Sequence, residues 1–264
     1  MKIDLTYKIS EGMFKYPSDP EVKIERKDAT FEDEEEIIYD ESGYTSGVAT
    51  VYRRYKSGYV LLHIRNHHGT HIDAPAHKIA WGKTIDKYVD EKFTNNCALI
   101  DLTSSDLMGR KERKIGKEDI ERACDLCSYN GVEALIFYTG FCDEMEKNKG
   151  RFKANSAEKI NFEKTFPYFS KEAASFIIEK SNCLNIIGID SFSVDKSGCN
   201  SEVHRIFFSK DILPLETLVN LAELRNKAGK NVFKLFSIPL YDADAAQTRA
   251  YAIYRRENDG TEES

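Results

Sequence analysis

Five of the chain's six histidines, at positions 63, 67, 68, 71 and 77, fall within fifteen residues. Proportional scatter would put roughly 0.3 of them there. Imidazole is a common metal ligand and the side chain that most readily moves protons near neutral pH. The core of the cluster reads His67-His68-Gly69-Thr70-His71-Ile72-Asp73-Ala74-Pro75-Ala76-His77. Two imidazoles and a carboxylate, from His67, His71 and Asp73, form a donor set suited to Zn²⁺ or Mn²⁺. His77 lies beyond a proline and could stand beside such a metal rather than on it.

These residues must be positioned by backbone. Gly69 and Pro75 argue against a continuous helix through the cluster. If the chain is extended from Thr70, His71 and Asp73 point to one side. Gly69 then lets the chain bend so that His67 converges on them. His68 is expected to point away. His63 falls among the strand-forming residues of 48–66 and is expected to be structural.

The surrounding pattern predicts strands at Asn96–Leu102, Ala134–Tyr138 and Ile186–Asp190. Further strands are expected at Val232–Pro239 and Arg249–Tyr254. A helix is expected over Lys117–Tyr129, with Cys124 and Cys127 as small helix residues. Another is expected over Ser170–Lys180, with Ser170 as N-cap and Glu172 in the first turn. Strand and helix alternate through the middle and both ends are strand-rich. That pattern implies an α/β or α+β fold with a mixed sheet. No repeat or linker interrupts residues 1–264, which are read as one domain. The acidic run over 28–43 reads as a solvated insertion or flap, with a substrate lid as the alternative.

Composition narrows the function. Hydrophobic residues make up 41% and charged residues 31% of the 264, and the net charge is −6. A mildly acidic chain has no long-range attraction for nucleic acid or anionic lipid. No stretch approaches the roughly 20 apolar residues that span a bilayer. A small-molecule substrate and a cytoplasmic location with reduced thiols are therefore expected. The motifs H-E-x-x-H, G-x-G-x-x-G and G-x-x-x-x-G-K are missing.

The segment His67-x-Gly69-Thr70-His71-x-Asp73-Ala74-Pro75-x-His77 resembles the H-x-G-T-H-x-D-x-P-x-H signature of the cyclase family, which includes bacterial kynurenine formamidase and isatin hydrolase. Other stretches resemble that family too. They are Tyr16-Pro17-Ser18-Asp19-Pro20, Phe137-Tyr138-Thr139-Gly140, Gly188-Ile189-Asp190-Ser191-Phe192-Ser193-Val194-Asp195, and His204 followed by Glu216. The resemblance implies that His67, His71 and Asp73 bind one metal and that Asp73, His204 and Glu216 hold a second. It makes His77 the acid/base residue. It further implies a mixed sheet closing toward a barrel with flanking helices, of the swivelling β/β/α type, assembled as a homodimer or homotetramer. Lys78, the long acidic segment and Asp244-Ala245-Ala246-Gln247-Thr248 depart from the family pattern.

The reaction expected is hydrolysis of an amide or cyclic-amide C–N bond, aided by one or two divalent ions per chain. The alternatives are lyase or cyclase chemistry by proton abstraction at the same site, and a non-catalytic metal-binding module.

Overall fold

The computed structural model describes residues 1–39, 45–153, 156–229, 231–240 and 243–254, with the backbone alone over 31–39 and 45–55. In chain order the strands are β1 (Lys2–Asp4), β2 (Lys23–Lys27), β3 (Thr30–Tyr39), β4 (Thr45–Lys56), β5 (Tyr59–His63), β6 (His71–Asp73), β7 (Thr94–Asp101) and β8 (Lys114–Ile115). They continue with β9 (Ala134–Tyr138), β10 (Tyr168–Phe169), β11 (Ile186–Ile189), β12 (Leu213–Glu216), β13 (Phe233–Phe236), β14 (Ala245–Gln247) and β15 (Tyr251–Ile253). The α-helices among the described residues are α1 (Lys117–Ala123), α2 (Phe141–Asn148), α3 (Ala157–Glu163), α4 (Lys171–Lys180), α5 (Glu202–Phe208) and α6 (Leu221–Ala228).

Nine strands form one curled mixed sheet in the order β1-β15-β13-β7-β9-β11-β12-β6-β14, a half-barrel flanked by helices. Its centre, β7, β9, β11 and β12, is parallel. Such strands are buried on both faces and read as apolar runs, as Ala134-Leu135-Ile136-Phe137-Tyr138 does. Alternation divides each run between two cores. Cys97, Leu99, Ala134 and Ile136 face the layer formed by α2, α6 and the N-terminal segment. Ala98, Ile100, Leu135 and Phe137 face α1, α4 and α5. β13 pairs antiparallel with β7 on one flank, and β6 pairs antiparallel with β12 on the other.

The helix expected over Lys117–Tyr129 is two pieces. α1 stops at Ala123, because Cys124 is extended at φ −161° and ψ 161°. Asp125 then caps a separate 3₁₀ turn, Leu126–Tyr129, by accepting from the Cys127 N–H. A side-chain acceptor placed for a new turn competes with the old helix. Cys124 packs against the core and Cys127 is exposed. Ser170 does cap α4, its hydroxyl accepting from the Ala173 N–H at 3.1 Å.

Residues 48–56 and 59–63 of the expected stretch are strand, although β4 pairs with β3 and β5 with β2 rather than with each other. Thr30–Tyr39 of the acidic segment is thus one strand of a long two-stranded ribbon; its residues 40–43 lie outside those described. No helix among the described residues is long and apolar enough to cross a membrane.

Candidate metal centre

The cluster is built on β6. Ile72 turns into the core with no exposure, so by strand alternation His71 and Asp73 turn to the other face. In the antiparallel register Glu216, the last residue of β12, lies directly opposite His71. On the other side Ala245 of β14 lies opposite Asp73.

Gly69 makes the bend before the strand. Its φ is +70°, and an added Cβ would lie 2.6 Å from the Tyr7 carbonyl oxygen. Thr70 pins that bend: its hydroxyl accepts from the Tyr7 N–H at 2.7 Å and donates to the Thr217 carbonyl at 2.7 Å. After Asp73 the chain is extended at Ala74, as a residue before proline prefers. Pro75 then opens a 3₁₀ turn, Pro75–His77, that brings the His77 ring back over the site.

All six residues singled out from sequence meet here. His67 Nδ1 lies 3.1 Å and His71 Nε2 3.5 Å from Asp73 Oδ1. His204 Nε2 lies 3.0 Å and His77 Nε2 3.7 Å from Asp73 Oδ2. Glu216 closes the ring, with Oε2 3.3 Å from His71 Nε2 and Oε1 3.5 Å from His204 Nε2. His68 and His63 stay out. His68 is fully buried with Nδ1 accepting from the Arg65 N–H, and His63 lies on exposed β5 beside Glu25.

Two buried atoms in this ring, His71 Nε2 and Asp73 Oδ1, have no hydrogen-bond partner among the described residues. Leaving buried polar atoms unpaired is costly unless a ligand satisfies them. Among the described residues, three sets of donor atoms each lie within 4.8 Å of one another: His67, His71 and Asp73; Asp73, His77 and His204; and His67, His77 and Asp244. Nitrogen and carboxylate donors in this combination fit Zn²⁺ or Mn²⁺. Hydrogen bonds fix the tautomers that such ligation needs. His71 Nδ1–H donates to the Gly69 carbonyl at 2.9 Å, and His204 Nδ1–H donates to Asp195 at 2.6 Å. Both Nε2 lone pairs are left facing inward.

The field at the site is strongly coupled. Burial disfavours charge on His71, but Asp73 and Glu216 outweigh it and raise its pKa to about 9. For His204 burial is likewise overcome by Asp195 and Asp73, giving about 9. Asp73 is held well below the carboxylate range, because the surrounding imidazoles of His67, His77 and His71 overcome its burial. His77 moves the other way. Burial, with His67, Lys78 and His204 nearby, lowers it to about 4 against the pull of Asp73.

Sequence reasoning gave no role to Asp195 or Asp244. Asp195 accepts from His204 Nδ1 and from the N–H groups of Val203 and His204 at 2.9 and 3.0 Å, so it orients both ring and helix. Asp244 lies 3.3 Å from His77 Nδ1 and accepts from the Asn66 side chain at 2.7 Å. A carboxylate nine residues before a lone histidine was the available signal for Asp195. Asp244 arrives from the far end of the chain with no local pattern. A cavity of about 470 Å³ opens onto the cluster, with Tyr16 and Phe192 among its aromatic lining and Arg65 and Lys78 among its basic lining.

Comparison with known proteins agrees with this architecture. The family model described as "Putative cyclase" matches residues 3–196. Kynurenine formamidase from Bacillus cereus (strain ATCC 10987 / NRS 248) is 27% identical over 188 residues, 70% of this chain and 74% of that protein. An isatin hydrolase bound to the product analogue thioisatinate superposes with a TM-score of 0.66 at 16% identity, over 97% of this chain and 92% of that one. Isatin hydrolase A from Labrenzia aggregata, bound to benzyl benzoate, gives 0.64 at 16% identity over 96% and 93%. At such identities the structural likeness speaks for the fold.

Proposed function

The chain belongs to the cyclase family, and from that premise we propose that it is a metal-dependent hydrolase of an amide or cyclic-amide C–N bond. The observation that carries the reading is the convergence of His67, His71 and Asp73, with two buried donor atoms, His71 Nε2 and Asp73 Oδ1, that make no hydrogen bond to any described residue. In this reading His67, His71 and Asp73 hold one Zn²⁺ or Mn²⁺, and Asp73, His204 and Glu216 hold a second. An ion held there supplies Lewis-acid polarisation of a carbonyl and a water pKa lowered toward about 7. The relatives named kynurenine formamidase and isatin hydrolase support an aryl formamide or a ring amide as substrate class. The Tyr16 and Phe192 rings at the cavity suit an aryl group.

The chain's own residues supply orientation and proton transfer. Gly69 and Asp195 hold the His71 and His204 rings in the tautomers that present Nε2. Asp244 engages His77 Nδ1, which leaves His77 Nε2 turned toward Asp73 and the cavity. Its lowered pKa keeps His77 neutral at pH 7, so Nε2 can take a proton from the attacking water. Once protonated it is a stronger acid than free imidazolium and returns that proton to the leaving nitrogen as the C–N bond breaks. The six cysteines form no disulfide among the described residues, which suits a reducing compartment and, in this reading, the cytoplasm.

The experiment is metal analysis of the purified protein, followed by assay of N-formyl arylamines, isatin and small lactams. One or two equivalents of metal and turnover of an amide are expected. A His67→Ala/His71→Ala double variant should lose both. Stoichiometric metal persisting in that variant would remove this site from the proposal. Metal-loaded protein that cleaves none of the amides would return the choice to proton-abstraction chemistry or a non-catalytic module.

A further inference from the structure

We propose that Lys78 is the anion-reading residue of the cavity and that the amide this chain cleaves carries a carboxylate. The inference rests on the hydrolase reading above and narrows its substrate class. It starts from charge pairing around the cavity. Asp195 is engaged by His204, and Asp244 by His77 and Asn66. Glu216 accepts from the Val194 N–H at 2.7 Å and faces His71. Among the basic groups, Arg65 lies 3.5 Å from Asp19, and Lys196 lies 2.8 Å from Glu112. Lys78 alone among these cavity-lining charges forms no side-chain hydrogen bond or ion pair with any described residue.

Its position gives that ammonium a use. Lys78 closes the 3₁₀ turn that carries His77, its N–H donating to the Pro75 carbonyl at 3.1 Å. The base of its side chain is therefore fixed one residue from the proton carrier, at the wall of the same cavity. Lys78 is half-buried, and its ammonium has no counter-ion among the described residues. An incoming carboxylate supplies one, and a lysine's flexible stem can meet it over a range of ring positions. A neutral amide leaves the ammonium unpaired, and a cationic one meets repulsion.

The test uses metal-loaded protein and three probes of similar size: N-formylanthranilate, formanilide and 4-(aminomethyl)formanilide. Wild type should prefer the carboxylate-bearing amide in kcat/KM by about tenfold or more over the other two, as expected for a charge-assisted contact. Lys78→Met should collapse that preference, mainly through KM, and Lys78→Arg should keep part of it. Calorimetric binding of anthranilate should weaken by a similar factor in Lys78→Met, a readout independent of turnover. Equal or reversed preference in wild type, or a preference intact in Lys78→Met, overturns the assignment. If wild type cleaves none of the three, the hydrolase reading fails. Anthranilate binding then still decides Lys78, and equal affinity in wild type and Lys78→Met overturns its role.

Discussion

His77 and His71 sit in the same ring of side chains, yet their second nitrogens are tied differently, and that difference separates their roles. His71 Nδ1 is spent on a backbone carbonyl, and its buried Nε2 faces Asp73 and Glu216 without a hydrogen bond to any described residue. His77 Nδ1 is held by Asp244 at the cavity wall. His77→Ala is therefore expected to keep its metal and lose turnover by on the order of 10²–10⁴. His71→Ala should lose both, and His63→Ala, on the exposed ribbon, should lose neither. Comparing kcat and metal content across the three variants checks this. Turnover within a few-fold of wild type in His77→Ala would shift the base to a carboxylate such as Glu216.

The titration of the ligands gives a second outcome. His71 and His204 have folded pKa values of about 9 against 6.5 for free imidazole. A raised pKa stabilises the metal-free protein fully below pH 6.5 and loses that stabilisation as pH rises through 9. Metal must displace those protons, so affinity should climb between pH 6.5 and 9. Calorimetry at pH 7 in buffers of different ionisation enthalpy should show proton release on metal binding; buffer-independent heats would contradict it.

The site depends on short elements held by single residues. β6 has three residues, and its register against β12 and β14 places His71 beside Glu216. The bend that admits His67 needs the left-handed conformation at Gly69. Gly69→Ala places a Cβ against the Tyr7 carbonyl and adds the left-handed penalty of roughly 1–2 kcal/mol. A lower melting temperature and weaker metal retention are expected together. A wild-type melting curve with full metal content would show that the bend tolerates a side chain. The caps were legible at this scale, as Ser170 shows. The break at Cys124 was not, because the Asp125 cap competes with an otherwise good helical pattern.

At the scale of the molecule, the β2–β5 ribbon stands apart from the nine-stranded sheet. Tyr59, Val60, Leu61 and Leu62 follow one another along β5, and all are about half exposed. Successive strand residues alternate faces, so β5 presents exposed apolar side chains on both faces of the ribbon, beside the charged Lys23, Glu25, Arg26 and Lys27 of β2. A two-stranded ribbon is marginal in water by itself, and exposed apolar surface of this kind marks contact sites. We propose that a second copy of the chain covers it, in a homodimer or homotetramer. Light scattering at micromolar concentration should give at least twice the 30.2 kDa chain mass. Leu61→Lys/Leu62→Lys should shift the protein toward the monomer. A monomer in the wild type would set the ribbon another role.

The amino-acid sequence by itself carried the ligand-rich segment. Glycine, proline and histidine there act through local rules: a glycine bend, a two-residue strand period and a proline turn. It also marked three of the four central parallel strands, β7, β9 and β11, whose burial on both faces leaves continuous apolar runs such as Ala134–Tyr138; β12 was not among them. His204 and Glu216 stood out through family resemblance alone, since nothing local separates them from other polar residues. Only the tertiary structure brought Glu216 beside His71, by pairing β12 with β6 across more than 140 residues of chain, and His204 of α5 beside Asp73. Asp244 needed it entirely, since its contact with His77 joins segments 167 residues apart. Asp195 had only its spacing of nine residues before His204 as a signal, and which imidazole nitrogen it holds was fixed by the fold.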